Sequence, residues 1–170
     1  MKVLETERLI LRRLTVDDDE FILELLNDPA WLRFIGDKGV RSLDGAREYI
    51  LKGPVAMYER RGFGLYLTEL KGEGVPIGIC GLIKRDYLED VDIGFAFLPR
   101  FRREGYAYES ASAVMTYGKR ALGLNRLAAI TSPDNYDSVG LLEKLGFHFE
   151  EMIKLSVDGE EVRLFAVDLQ

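Results

Sequence analysis

The sequence has few of the side chains that build disulfides and metal centres. It holds one cysteine, Cys80, and one histidine, His148, among 170 residues. A single cysteine excludes an internal disulfide, and this pair is too small for a zinc site of the usual kind, so no metal is expected. Cys80 lies in the apolar run 77–82. We expect a buried structural thiol, because reactive thiols need an accessible, electropositive setting.

Long apolar runs and an excess of positive charge are also missing. No apolar stretch approaches the length that crosses a membrane, and residues 1–8 lack an apolar signal region. The formal net charge is -6. That balance argues against a nucleic-acid binder, which would normally carry a basic face. We therefore expect a cytoplasmic protein, monomeric or homodimeric, with no nucleic-acid partner and no membrane partner.

The residues that are present predict one globular domain, residues 1–170, with a mixed α/β sheet and helices on its faces. Hydrophobic residues make up 47% of the chain. Pro29 is expected to end the first helix, and Gly53-Pro54 to interrupt or kink the helical region that follows. The predicted strands are 8–14, 64–70, 75–84, 91–98, 126–131, 149–157 and 160–169. The predicted helices include 42–49, 55–60, 106–122 and 135–145.

The most informative segment is a basic turn that carries three arginines in an acidic chain, Arg100, Arg102 and Arg103. A predicted strand leads into the turn and a predicted helix leads out of it. Free backbone N–H groups and the positive end of the helix dipole favour an anion at such a point. Gly105 has no Cβ, so a ligand can approach the backbone closely. The turn therefore predicts a phosphate-binding site, with a solvated basic turn as the alternative.

Four segments resemble the GNAT acetyltransferase superfamily. Residues 102–107, Arg-Arg-Glu-Gly-Tyr-Ala, resemble its pyrophosphate loop, Gln/Arg-x-x-Gly-x-Gly/Ala. Residues 135–138, Asn-Tyr-Asp-Ser, and 143–147, Glu-Lys-Leu-Gly-Phe, resemble its next motif. Residues 6–12 and 92–95 resemble the opening strand and the acidic-x-Gly-Tyr strand of the branch that contains the ribosomal-protein N-terminal acetyltransferases. The resemblance implies a central, mostly antiparallel twisted sheet of about seven strands, flanked by helices.

The resemblance also implies a reaction and a set of cofactor-binding residues. Acetyl-CoA would be the co-substrate, and the acceptor a primary amine on a protein N-terminus or a small molecule. Transfer would proceed by direct attack in a ternary complex. The backbone of Phe97 and Leu98 would pair with the pantetheine arm. The residues implied at the pyrophosphate are Arg102, Arg103, Glu104, Gly105, Tyr106 and Ala107. Asn135 could contact the cofactor, cap its own helix, or do both.

The catalytic groups are less certain from the sequence. Many members of the superfamily protonate the leaving thiolate with a tyrosine at the position held here by Leu142. Ser138, one turn into the same helix, is the expected substitute, with a locally bonded serine as the alternative. The base is open between Asp92, Glu89, Asp86, His148 and solvent. Asp92 is expected to lie nearest to the reacting groups, because it is on the strand that leads into the basic turn. We expect it beside a solvent-fed cleft with an ordinary pKa.

Other interpretations of the chain remain open at this point. Trp31 and Phe34 could wall the acceptor pocket or belong to the core. The chain could also be a non-catalytic acyl-CoA or nucleotide sensor that kept the phosphate loop. A purely structural dimer module is a third possibility, and it predicts no CoA binding.

Overall fold

The computed structural model describes residues 1–170 and contains eight strands and six α-helices. The strands are β1 Lys2–Glu5, β2 Leu9–Arg13, β3 Leu65–Leu70, β4 Pro76–Ile83, β5 Asp92–Phe97, β6 Arg126–Thr131, β7 His148–Lys154 and β8 Glu161–Asp168. The helices are α1 Asp19–Leu26, α2 Pro29–Phe34, α3 Leu43–Ile50, α4 Ala56–Arg61, α5 Tyr106–Arg120 and α6 Tyr136–Lys144. No helix is both long enough and apolar enough to cross a membrane.

All eight strands join one sheet in the order β1-β2-β3-β4-β5-β6-β8-β7. Every neighbouring pair is antiparallel except β5 and β6. The predicted mixed fold, mostly antiparallel and flanked by helices, is therefore confirmed. The expected number of strands was one too low, because β1 has only four residues, none of them fully buried, and its two apolar residues are too few for a strand pattern.

Helices cover both faces of the sheet. On one face, Ala111 and Val114 of α5 are fully buried in the same cluster as Ile93 and Phe97 of β5. These small side chains let α5 lie close to the sheet, which fixes its N-terminus relative to the strand before it. On the other face, α1 to α3 pack against the sheet in a second cluster that includes Leu25, Trp31, Ile50, Leu67 and Ile79.

Both expectations about proline agree with the structure. The first helix, α1, ends at Leu26, before Pro29. Pro29 then occupies the first turn of α2, where its missing N–H removes no hydrogen bond, and Asp28 caps that helix by accepting from Ala30 N–H at 3.2 Å. Gly53-Pro54 interrupts the α-helical region that follows, because residues Leu51–Val55 form a wider, π-helical turn between α3 and α4.

The sheet opens between β5 and β6. These parallel strands pair only at Asp92 and Ala128, supported by a hydrogen bond of 2.9 Å from Ala128 N–H to the Val91 carbonyl. Beyond that point the strands diverge, so the edge of β5 towards Phe97 has no neighbouring strand on that side. The gap lies directly before the basic turn.

Cys80 is fully buried in β4, and burial raises the pKa of its thiol to about 12. The expectation of a structural thiol is confirmed, because such a group carries almost no thiolate at neutral pH. No group of three His, Cys, Asp or Glu side chains comes together in a way that could hold a metal ion.

Candidate active site

A cavity of about 650 Å³ opens where the sheet divides. The basic turn and the start of α5 form one wall, α6 forms a second, and α2 with the end of β5 forms a third. Among the residues predicted to bind the cofactor, those that line the cavity are Phe97, Arg102, Arg103, Gly105, Tyr106, Ala107 and Asn135. Ser138 lines it as well, whereas Leu98 and Glu104 do not.

The N-terminus of α5 supplies a row of free hydrogen-bond donors. Gly105 precedes the helix with a φ of 83° and caps it with no side-chain hydrogen bond. The first N–H of this region that bonds within the protein is that of Glu109, which donates to the Gly105 carbonyl at 3.0 Å. The backbone N–H groups of residues 103–108 therefore have no protein acceptor. Such a row, at the positive end of a 15-residue helix, is suited to an anion with several oxygens.

Only one of the three arginines in the turn is free of an internal partner. Arg100 pairs with Glu24 at 2.8 Å. Arg102 donates to the Phe97 carbonyl at 3.0 Å and to the buried carboxylate of Asp28 at 2.8 Å. Arg103 forms no ion pair, is exposed, and holds the positive φ of 65°, the single such value at a non-glycine residue. Arg102 thus joins the turn to α2, and Arg103 carries the available charge.

A further arginine, Arg8, contacts the basic turn from the segment just before β2, and sequence reasoning missed it. Arg8 donates to the Glu104 carbonyl at 3.0 Å and to Glu109 at 2.7 Å, and its guanidinium lies 4.4 Å from the centre of the Tyr106 ring. Burial opposes ionisation of Glu109, but hydrogen bonds from Thr6 and Arg8 keep the pKa of its carboxyl below the usual value. The segment 6–12 that resembles the opening strand contains Arg8, but the local sequence does not show that its side chain reaches the basic turn.

The free edge of β5 presents Phe95 and Phe97. Leu98 N–H donates to the Ile77 carbonyl of the preceding segment at 2.9 Å. Antiparallel pairing alternates, so the backbone groups of Phe95 and Phe97 point away from β4 and towards the gap. Leu98 also uses its carbonyl, which accepts from Phe101 N–H at 3.0 Å. The prediction for Leu98 is corrected for its N–H, which points to β4 and is not free to pair with a ligand.

Helix α6 brings Asn135 and Ser138 to the opposite wall. The Asn135 side chain accepts from Ser138 N–H at 3.3 Å, so it caps the helix and lines the cavity at once. The Ser138 hydroxyl has no hydrogen-bond partner in the protein, which removes the alternative of a locally bonded serine. Leu142 is fully buried in the main core and packs away from the cavity. Tyr136 is 73% exposed and does not line the cavity.

The candidate bases do not line the cavity. Asp92 begins β5, five residues and about 17 Å of strand from Phe97. It is 1% exposed and pairs with Arg85 at 3.0 Å, and burial raises the pKa of its carboxyl to about 6. The expected solvent-fed aspartate with an ordinary pKa was therefore wrong. His148 lies at the start of the edge strand β7, exposed, and Glu89 and Asp86 belong to the loop before β5.

The first half of the chain forms the third wall through α2. Trp31, Phe34 and Ile35 line the cavity together with Leu25 of α1. Trp31 also belongs to the core of that face, being 5% exposed, so it lines the cavity and contributes to the core at once. That Trp31 and Phe34 contact the acceptor stays a prediction. Asp28 with Arg102 and Arg33 with Asp134, at 3.2 Å, connect α2 to the other two walls.

Comparison with known proteins gives a consistent result. The family model described as an acetyltransferase (GNAT) domain matches residues 8–148. YoaA of Bacillus subtilis (strain 168), named as an uncharacterized N-acetyltransferase, is 33% identical over 154 residues, which cover 89% of this chain and 86% of YoaA.

Solved structures share the fold over nearly the whole chain. An acetyltransferase (GNAT family) from Bacillus anthracis is 26% identical with a TM-score of 0.81, over 99% of this chain and 98% of that one. RimL, a ribosomal L7/L12 alpha-N-protein acetyltransferase solved in complex with coenzyme A, has a TM-score of 0.83 at 19% identity, with coverage of 99% and 98%. At 19% identity, the likeness to RimL shows a shared fold only.

Proposed function

The chain belongs to the GNAT acetyltransferase family, and on that premise we propose that it moves an acetyl group from acetyl-CoA to a primary amine. The acceptor is a small molecule or a protein N-terminus, and residues 1–170 act as one catalytic domain. The amine attacks the acyl carbon directly in a ternary complex. The only thiol, Cys80, is buried and therefore a poor nucleophile for a covalent route.

The single observation that carries the proposal is the row of unpartnered N–H groups at residues 103–108. A pyrophosphate needs several donors at once and a nearby cation. The start of α5 offers the donors, and Arg103 offers a cation that no carboxylate of the protein neutralises. Gly105 keeps the backbone accessible because it has no Cβ, and its positive φ favours glycine at this position. The residues present thus fit the diphosphate of coenzyme A.

The pantetheine arm fits the free edge of β5. Phe95 and Phe97 present backbone groups to the gap, so an extended chain carrying amides can pair with them in the manner of an added strand. Arg102 already occupies the Phe97 carbonyl, which leaves the Phe97 N–H and both groups of Phe95. One of these N–H groups is in position to polarise a carbonyl that lies along the edge.

Acetyl-CoA supplies the acyl group as a thioester. In the transfer a C–N bond forms, the C–S bond breaks, the nitrogen loses a proton and the sulfur gains one. Ser138 is the proposed acid, because its hydroxyl lines the cavity with no partner and the usual tyrosine position holds the buried Leu142. Asn135 acts as a positioning residue by fixing the first turn of α6.

We assign the deprotonation of the acceptor to solvent. None of the candidate bases named from the sequence lines the cavity, and Asp92 is separated from it along β5. Two other carboxylates do line it: Asp28 is paired with Arg102 at 2.8 Å, and Asp137 lies exposed in the first turn of α6. The rate should therefore rise towards mildly alkaline pH with a limb that follows the pKa of the amine, since only the neutral amine has a lone pair for attack. A pair of acceptors with different amine pKa values should shift this limb by the same difference.

The matching experiment measures thiol release against pH for wild type and Asp92→Asn with both acceptors. The expected result is an unmoved limb in the variant and a limb that moves with the acceptor. A large loss of rate together with a flattened limb, in a variant that still folds and binds acetyl-CoA, would identify Asp92 as the base. Calorimetric titration with acetyl-CoA tests the donor site separately, and absence of binding would contradict the proposed function itself.

A further inference from the structure

A second, smaller pocket lies away from the proposed active site, on the side of α4. Its volume is about 230 Å³, and seven residues line it. Four of the seven are basic, namely Arg60, Arg61, Lys84 and Arg85, while Asp86 is the one acidic residue. The chain as a whole has a net charge of -6, so the overall composition does not account for this concentration of positive charge.

Much of that charge is not neutralised within the protein. Arg85 pairs with the buried carboxylate of Asp92 at 3.0 Å. The Lys84 ammonium donates to the backbone carbonyls of Arg85 and Leu88, at 2.7 and 2.6 Å, and has no acidic partner. Arg60 and Arg61 form no ion pair and no side-chain hydrogen bond, and Asp86 forms no ion pair with them.

The dipole of α4 accounts for only two of the four basic residues in the pocket. Arg60 and Arg61 occupy the last turn of α4, where the helix dipole favours cations. Lys84 and Arg85 come from the connection between β4 and β5, so the dipole of α4 gives no reason for their presence beside it. Like charges that converge from two separate segments repel each other. Such an arrangement is expected where an anion is bound.

We propose that this pocket binds an anionic group of the size of a carboxylate or a phosphate. Arg60 and Arg61 bind it with their free guanidinium groups, and Lys84 adds positive charge. Tyr87 lines the pocket and its hydroxyl lies 3.3 Å from Arg85, so it provides a further polar contact. The anion is either free in solution or carried at the far end of an amine acceptor long enough to reach from the cavity past Asp92, and these two sources are distinguished by experiment.

The first experiment titrates the full chain with inorganic phosphate and follows the guanidinium Nε–H signals of Arg60, Arg61 and Arg85 by NMR. Observation at these side chains separates the pocket from any phosphate bound at the start of α5. We expect saturable shifts with a dissociation constant of about 1 mM or below, as two charge-assisted contacts allow. Shifts that grow without saturation, as from general screening, would overturn the proposal.

The second experiment compares two double variants with the same change in charge. Arg60→Gln with Arg61→Gln removes the two free cations of the pocket. Lys119→Gln with Arg120→Gln removes two exposed cations from the last turn of α5, which line neither pocket described here. We expect the shifts at Arg85 to weaken about tenfold or more in the first variant and to stay as in wild type in the second. Equal losses in both variants would contradict a specific site.

A kinetic comparison then assigns the source of the anion. The acceptors are a peptide of about six residues, which can span the distance from the cavity past Asp92 between its N-terminal amine and its C-terminal carboxylate, and the same peptide with the C-terminus as a neutral amide. If the acceptor carries the anion, Arg60→Gln with Arg61→Gln raises KM for the carboxylate alone and leaves kcat in place. If the anion is free, phosphate changes the rates with both acceptors equally and the variant abolishes that response. Because the NMR titration needs no acetyl transfer, its result does not depend on the proposed activity.

Discussion

Three helices begin at the cavity, α2, α5 and α6, and the last two begin in opposite ways. At the start of α6 the Asn135 side chain accepts the N–H of Ser138, so part of the helix end is satisfied internally. At the start of α5 Gly105 offers no side chain, and the N–H groups remain open. Helices α2 and α3 follow the first pattern, with Asp28 and Ser42 as caps. A capping residue commonly adds about 1 kcal/mol, so the start of α5 gives up stability that a bound anion can restore.

The largest effect is expected where the open helix start is blocked. Gly105→Val introduces a branched side chain at a φ of 83° and next to Arg8, and it denies a ligand access to the backbone. Loss of two charge-assisted contacts corresponds to a decrease in acetyl-CoA affinity of about 10³-fold. Calorimetry gives the affinity, and thermal unfolding gives the cost to the fold.

Gly123→Val is the matched control for that variant. Gly123 follows α5 at its other end with a φ of 68° and has nothing near its Cβ position. The substitution should therefore cost a similar amount of stability, about 1–3 kcal/mol, through backbone strain alone. Acetyl-CoA affinity should remain that of the wild type. A folded Gly105→Val that binds as the wild type does would refute the assignment of the α5 start.

The next effect concerns the hydroxyl on the capped helix. Ser138→Ala should lower kcat by about 100-fold with little change in acetyl-CoA affinity, if the hydroxyl acts only as the thiolate departs. Tyr136→Phe removes an exposed hydroxyl from the same helix and should leave kcat unchanged. If turnover in Ser138→Ala stays within a factor of about two, the acid lies elsewhere.

A smaller difference separates two neighbouring arginines. Arg103→Ala should weaken acetyl-CoA binding about tenfold, and less at high salt, without affecting the fold. Arg102→Ala should instead lower the free energy of unfolding by about 1–3 kcal/mol, because it leaves the buried Asp28 without its charged partner. Urea unfolding and titration of both variants test this division of roles. It fails if both variants lose affinity alike and unfold alike.

The smallest effect is expected from removing the cap of α6. Asn135→Ala should cost about 1 kcal/mol of stability, the usual value for a helix cap. If Asn135 only positions Ser138, kcat should fall while acetyl-CoA affinity stays. A loss of affinity larger than the loss in kcat would show direct contact with the ligand. Asn135→Asp, which retains a capping oxygen, should preserve the stability.

The sequence predicted most of the elements, though not β1 or α2, and it predicted a phosphate-binding site at the basic turn. Gly105 and Asn135 mark helix starts through local chemistry, so their positions could be predicted without any knowledge of the fold. The partners of Arg102 and Arg8 could not, because Asp28 and Glu109 lie 74 and 101 residues away along the chain. The raised pKa of Asp92 was also out of reach, since it depends on burial that many distant residues create. The prediction that Leu98 pairs with a ligand was wrong for its N–H for a similar reason, because only the register with β4 decides which way that N–H points.

The single paired position between β5 and β6 has a consequence for the motions of the protein. One set of strands, β1 to β5 with α5, and another, β6 to β8 with α6, share few backbone hydrogen bonds across their boundary. Such sets can open as separate cooperative units, and amide exchange reports each of them. A ligand that lies along the gap would tie the two units together. We expect amide protons of β6 to exchange more slowly when acetyl-CoA is bound, including those far from any contact with it.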